Sequence, residues 1–320
     1  MIMGMSDIIV AQDLSKQYRA QHNHHKAIEG LSFSIPAGQL YGLVGPDGAG
    51  KTTTLRILST VMEQSGGTAH VAGFDVRKQA EKARPLIGYM PQNFSLYPDM
   101  SVLENLNFFA DLNQVPRDQK EARIKEMLHF TRLERFTSRR AAQLSGGMKK
   151  KLALACALVH APQVLFLDEP STGVDPVSRR ELWLILAEVV QQGVTVLVST
   201  PYMDEAERCH QVGILYEGQL LTHGSPAELE AQLPFDVLEV KAMPRKVVRD
   251  VINHGHKDIL RWRPVGDRLR LSVPDLKFTE KRLKKELNSA GAEISILRSA
   301  KSTMDDVFIH LVETQRGPHA

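Results

Sequence analysis

Cysteine is nearly absent from these 320 residues. Cys156 and Cys209 are the two present, and neither has the CxxC spacing of a zinc site. Two thiols cannot build a disulfide framework, so a reducing, cytosolic compartment is expected. An excess of one charge is missing too: Lys and Arg outnumber Asp and Glu by 40 − 37 = 3. That excess is too small to argue for nucleic acid without a concentrated basic patch. No apolar run approaches the roughly 18 residues that cross a bilayer. The best candidate, LALACALV at 152–159, follows Lys149 to Lys151 and ends at His160, which predicts a buried amphipathic helix. The opening MIMGMSDIIVAQDLSKQY has no basic start followed by a sustained apolar core, so no secretory signal is expected. Repeats of period 20 to 50 are not found.

What is present is ordinary globular composition, 42% hydrophobic and 24% charged, long enough for one large domain or two ordinary ones. From residue 38 to about 222, the strand-like runs QLYGLVG, VLFLDEP, VTVLVST and VGILYEG alternate with helical patterns, which predicts a mostly parallel sheet covered by helices. After Pro234 the texture changes. DVLEVKA, PRKVVRDVINHG, DILRWRP, DRLRLSVP, TEKRLKKELNSAG and AEISILR read as strand, helix, strand, strand, helix, strand, the split βαβ order of a small α+β domain. An amphipathic helix, STMDDVFIHLVE, follows with Ser302 as its expected N-cap.

Three motifs carry chemistry. GPDGAGKT at 45–52 fits G-x-x-x-x-G-K-[ST] between a strand-like run and a helical one. Its glycines let backbone N–H groups wrap the β- and γ-phosphates, Lys51 adds positive charge, and Thr52 is placed to ligate a magnesium ion bridging them. VLFLDEP at 164–170 ends an apolar strand in two carboxylates. An extended backbone points Asp168 and Glu169 to opposite sides, one for a metal and one for an attacking water. LSGGM at 144–148 precedes a helix and is a weak signal alone, since a serine-capped helix start explains it equally. As a Ser-Gly-Gly anion site it is redundant beside the first phosphate loop, unless it serves a neighbouring molecule.

In order and spacing, GPDGAGKTT, YMPQ with Gln92, LSGGM, LFLDEP and GVDP with Asp175 resemble the nucleotide-binding domain of an ATP-binding cassette (ABC) transporter, over about residues 8–230. GLVGPDGAGKTT, GYMPQNFSLYPDMSVLENLNFFADL and DPVSRRELW are most similar to multidrug-type export ATPases of the type-two family, and the segment ending MDDVFIHL to their accessory domain. The resemblance implies an α/β P-loop NTPase fold over 1–235, with a RecA-like core, an antiparallel β subdomain and a helical signature subdomain, then an α+β accessory domain over 236–320. It implies ATP and Mg2+ as ligands. Tyr18 matches the aromatic that stacks on adenine, and Gly45, Pro46, Asp47, Gly48, Ala49, Gly50, Lys51, Thr52 and Thr53 match the phosphate loop. Thr52, Gln92 and Asp168 match the metal site, and Glu169 the catalytic base. Gln92 also reaches the attacking water and links the site to the membrane partner. Ser145, Gly146 and Gly147 match the signature that caps ATP held by an opposing domain, and Asp175 the loop that follows the carboxylates.

Pro201 departs from the pattern, because the family usually has histidine at this strand end to contact the γ-phosphate. Proline has neither a side-chain donor nor a backbone N–H, so an ATP site that cleaves slowly is expected. Asp47, where asparagine is commoner, adds negative charge near the phosphates, and Met148 replaces the usual signature glutamine without consequence. An intact LSGG beside an altered strand end favours pairing with a non-identical or tandem nucleotide-binding domain over a homodimer. Multi-span permease subunits are the implied membrane partners, with this chain peripheral on the cytoplasmic face of the cell membrane. The alternatives are a soluble ABC ATPase acting on ribosomes or DNA, against which stands the lack of a charged linker or long coiled coil, and an ATP-sensing scaffold with little turnover. HNHHK at 22–26 sets His22, His24 and His25 in an expected hairpin loop with no acid or cysteine nearby. The basic runs around Arg245 to Arg249 and Arg261 to Arg270 lie in the small domain, where RWR and RLRLS are expected on solvated strand faces, with a regulatory surface or contact with anionic lipid as the alternative.

Overall fold

The computed structural model describes residues 7–19, 24–93, 96–253 and 258–316. The chain divides into two compact units, Met1–Pro226 and Ala227–Ala320.

The first unit is organised by a six-stranded sheet, in the spatial order Gln219–Gly224, Gln211–Tyr216, Leu40–Val44, Thr195–Thr200, Val164–Asp168, Ile87–Met90. The first pair is an antiparallel hairpin and every other pairing is parallel. Leu40–Val44, Val164–Asp168 and Thr195–Thr200 are buried at every position, which is why these stretches read as continuous apolar runs without alternation. A second, antiparallel sheet orders His24–Pro36, Asp7–Arg19, Gly66–Val71 and Phe74–Asp75. Its Ile9, Leu14 and Leu31 share one core with Leu43, Leu55 and Phe166. The helices Val102–Leu112, Arg117–Thr131 and Gly146–Leu158 form the third part. A capping box starts the first of them: Ser101 accepts from Glu104 N–H, and Glu104 accepts from Ser101 N–H at 2.7 Å.

The second unit follows the order expected for it. Asp236–Met243, Arg245–Asn253, Arg261–Val265, Arg268–Val273, Leu276–Ser289 and Glu293–Ala300 alternate as strand, helix, strand, strand, helix, strand. In space the strands run Arg261–Val265, Arg268–Val273, Asp236–Met243, Glu293–Ala300, with every neighbour antiparallel. This is the split βαβ arrangement. Leu238, Val240 and Leu271 pack with Val248, Leu283 and Leu287 of the two helices.

Three expectations need correction here. The arginine faces are not solvated: Arg270, 11% exposed, donates to Asp306 Oδ2 at 2.9 Å, and Arg263 donates to Asp306 Oδ1 at 2.8 Å. The final helix, Met304–Arg316, supplies that carboxylate. Burial pushes the Asp306 carboxyl up, but the hydrogen bond from Arg263 and the charge of Arg270 outweigh it and hold the group below its ordinary value. The cap of this helix is Thr303 instead of Ser302, since its N–H and Oγ1 both donate to Asp306 Oδ2 at 3.1 Å. The division between the units also falls earlier than 235. Leu229 and Glu230 are buried, and Glu230 pairs with Lys301 at 2.9 Å. His22 lies outside the described residues, while His24 and His25 open a strand.

Candidate functional site

The phosphate loop runs from strand Leu40–Val44 into helix Lys51–Leu58. Two glycines are required by geometry. At Gly45 an added Cβ would lie 2.0 Å from Leu215 O, and Gly50, with φ +104°, would place one 2.6 Å from Ala27 O. Lys51 is 3% exposed, and its Nζ donates to Gly45 O at 2.7 Å and Pro46 O at 2.9 Å. A cleft of about 340 Å³ opens over the loop, where Asp47, Gly48, Ala49 and Gly50 meet Lys51, Thr52 and Thr53. Tyr18, Gln92 and Glu169 line the same cleft. Tyr18 is 38% exposed and its hydroxyl donates to Met62 Sδ at 3.2 Å, which leaves a ring at the rim.

Behind the loop, Asp168 ends the buried strand. Thr52 Oγ1 and Ser199 Oγ both donate to its Oδ1, at 3.0 and 2.7 Å, while the buried Oδ2 has no hydrogen-bond partner. Buried polar atoms rarely go unpaired. A carboxylate with one orphaned oxygen, bonded to a threonine hydroxyl that lines the same cleft as the Gln92 carboxamide, is a hard-oxygen donor set that fits Mg2+, which takes few protein carboxylates and shares the rest with phosphate and water. Among the described residues no cluster of three His, Cys, Asp or Glu side chains offers a competing metal site.

Glu169 does not continue the strand, contrary to expectation. Its φ is +48°, so the two carboxylates diverge through a left-handed residue and not through strand alternation. Ser199 holds this strained turn by accepting from Glu169 N–H, through its carbonyl at 3.2 Å and its Oγ at 3.0 Å. The Glu169 side chain accepts from Gln92 Nε2 at 2.8 Å and Thr172 Oγ1 at 3.3 Å, and lies 3.5 Å from Lys51 Nζ. A carboxylate, a carboxamide and an ammonium therefore converge on the cleft.

Two groups at or near this site have no motif to mark them. Lys150, 4% exposed on helix Gly146–Leu158, donates to Gln92 O at 3.2 Å and Glu169 O at 3.4 Å. Burial pulls its ammonium below the ordinary value, and the charges of Glu169 and Asp168 pull partly back. Its signal is the position in KKKLALACALV, where the middle lysine falls on the buried face. Glu205 is fully buried: Arg179 Nε donates to Oε1 at 2.7 Å, Trp183 Nε1 to Oε1 at 3.2 Å, and Thr200 Oγ1 to Oε2. It fixes the end of strand Thr195–Thr200, just before Pro201. That end adjoins the phosphate loop, since Gly45 N–H donates to Thr200 O at 3.3 Å.

Ser145, Gly146 and Gly147 do not line the cleft. Ser145 caps helix Gly146–Leu158 by accepting from Met148 N–H at 3.3 Å. A Cβ at Gly147 would meet Ser178 Oγ at 2.3 Å, so this turn packs tightly on helix Pro176–Gln191. Asp175 caps that second helix, accepting from Val177 and Ser178 N–H at 3.1 and 3.0 Å. Hydrogen bonds from Ser178, side chain and backbone, hold its carboxyl below the ordinary value.

The family described as ABC transporter matches residues 28–172. The probable multidrug ABC transporter ATP-binding protein YbhF of Escherichia coli (strain K12) is 47% identical over 222 residues, covering 69% of this chain and 38% of YbhF. The chain thus matches well under half the length of that relative. The Nod factor export ATP-binding protein I of Paraburkholderia xenovorans (strain LB400) is 36% identical over 295 residues, 92% of this chain and 94% of its own length. Among solved structures, cbiO1 from Clostridium perfringens, part of the ABC transporter complex cbiONQ, is similar with a TM-score of 0.63 and 27% identity, over 78% of this chain and 95% of its own.

Proposed function

The chain belongs to the ATP-binding family of ABC transporters, and from that premise we propose that it is the ATP-hydrolysing subunit of an exporter. The observation that carries this reading is the convergence of Lys51, Thr52, Gln92 and Glu169 on one cleft, with Thr52 hydrogen-bonded to Asp168, whose Oδ2 has no partner. The polyphosphate of ATP lies along the loop from Gly45 to Thr53, and Lys51 exchanges its contacts with Gly45 and Pro46 carbonyls for phosphate oxygens. Tyr18 at the rim stacks on the adenine. Mg2+, held by Thr52, Asp168 and Gln92, neutralises charge on the β- and γ-phosphates when bound. Gln92 orients the attacking water and Glu169 Oε takes its proton as general base.

Pro201 stands where this site needs a γ-phosphate donor. Losing one preorganised donor costs about 10² to 10³ in rate, so this chain binds ATP and cleaves it slowly. Its Ser145-Gly146-Gly147 turn lies outside the cleft and is free to cap ATP on a second nucleotide-binding domain, one that is non-identical or fused in tandem. No helix among the described residues is long and apolar enough to cross a membrane. A separate multi-span permease therefore supplies the pathway, with this chain peripheral at the cytoplasmic face.

The test is ATP turnover of the purified chain with magnesium, beside Pro201→His and Glu169→Gln. Turnover should rise about 10²-fold with histidine and vanish with glutamine. Parent turnover at the level of Pro201→His would remove the weakened-site reading. Activity surviving in Glu169→Gln would remove Glu169 as base.

A further inference from the structure

The second unit carries a pocket enclosing about 50 Å³. That is room for a head group of a few heavy atoms and far too little for a nucleotide. Four cations line it, Lys241, Arg245, Arg249 and Arg268, against one carboxylate, Asp267. That carboxylate is already engaged. Lys241 donates to Asp267 Oδ2 at 2.6 Å and Arg268 lies 3.6 Å from Oδ1. Arg268 is further occupied by Glu239 at 3.1 Å. Among the described residues, no carboxylate lies within ion-pair reach of Arg245 or Arg249.

These two arginines sit four residues apart on helix Arg245–Asn253, one turn above the other on the same face. Like charges so placed repel, and among the described residues neither arginine has an ion-pair partner. The pocket floor is apolar and buried, formed by Val240, Ala242 and Val248 of the unit's core. A low-dielectric floor beneath a cationic rim strengthens the attraction for an anion. Guanidinium groups in particular present paired donors that match phosphate oxygens.

We propose that the second unit binds a phosphate ester head group, gripped by Arg245 and Arg249 with Lys241 at its side. The assignment stands on this unit alone and is independent of the ATPase reading. Two sources share the chemistry, a membrane phospholipid and a soluble sugar or polyol phosphate.

The experiment uses the full chain saturated with ADP, so that the Lys51 site is closed to added phosphate. Binding of glycerol 3-phosphate is measured by calorimetry, and binding to vesicles of phosphatidylglycerol or of phosphatidylcholine by co-sedimentation. Glycerol 3-phosphate alone bound assigns a soluble ligand, and phosphatidylglycerol vesicles alone bound assign the lipid. In either case Arg245→Ala/Arg249→Ala should lose about tenfold or more in affinity, with ADP affinity unchanged as the check on folding. Arg245→Lys/Arg249→Lys should fall between. Lys284→Ala/Lys285→Ala, removing exposed lysines from helix Leu276–Ser289, should bind like the parent. No binding to any probe overturns the proposal, as does an equal loss in the Lys284/Lys285 variant.

Discussion

Buried carboxylates of the two units are paired to different extents. In the second, each carboxylate oxygen of Glu239 and Asp306 is met by a guanidinium: Arg268 and Arg298 on Glu239 Oε2, Arg270 on Oε1, Arg263 and Arg270 on Asp306. In the first, Asp168 keeps one oxygen unmet and Glu169 stands 3.5 Å from Lys51. Glu205, in the same unit as Asp168, has both oxygens answered and does not line the cleft over the phosphate loop. Burial of a carboxylate is therefore not by itself the mark of a site here; a carboxylate oxygen left unpaired behind a cleft residue is. A fully paired carboxylate fixes structure, whereas Asp168, joined to the cleft through Thr52, keeps one oxygen for a ligand.

That contrast can be broken by mutation. The largest effect is expected at Lys51. Replacing it with alanine removes a charge-assisted contact that no neighbour duplicates, lowering ATP affinity about 10²-fold in a binding titration. Thermal melting of the variant checks that the fold persists. Next comes Asp306→Asn, which leaves Arg263 and Arg270 short of their counter-charge and should destabilise the second unit by about 3 kcal/mol in urea. ATP turnover should not change. The same pair has a pH signature. The folded Asp306 carboxyl titrates below its ordinary 3.8, so its contribution is whole above that value and is lost as pH falls through the folded value. The parent's stability advantage over Asp306→Asn should thus shrink as pH falls below about 4 and close on further acidification. The smallest effect is expected at Asp275, whose side chain accepts from Phe278 N–H at 2.9 Å and caps Leu276–Ser289. Its alanine variant should cost about 1 kcal/mol, and a loss as large as that at Asp306 would blur the distinction between a cap and a buried pair.

Much of this was legible in the residues. Leu40–Val44 and Val164–Asp168 are buried on both faces, so their apolar runs announce parallel strands. The second unit's six-element order could be read from turn residues and periodicity alone. The misses share a cause: each depends on a partner distant in sequence. RWR and RLRLS look solvent-facing until Asp306, on a helix tens of residues away, is folded against them. Lys150 is one of three consecutive lysines until the helix turns it toward Gln92 and Glu169. Glu205 sits in an acidic stretch, and its role depends on Arg179 and Trp183 from another helix. The cap at Thr303 instead of Ser302 is a shift of one residue, decided by which backbone N–H reaches Asp306. The turn at Glu169 was hidden for a different reason, since nothing in VLFLDEP requires a left-handed residue.

That left-handed glutamate has a consequence for how the protein could change. A side chain with φ near +48° holds about 1–3 kcal/mol of strain, and glycine would relieve it. Glu169→Gly should melt at a higher temperature than the parent and turn over no ATP. A population screened only for robust folding would drift toward that dead variant, so the residue persists there only while selection acts on catalysis.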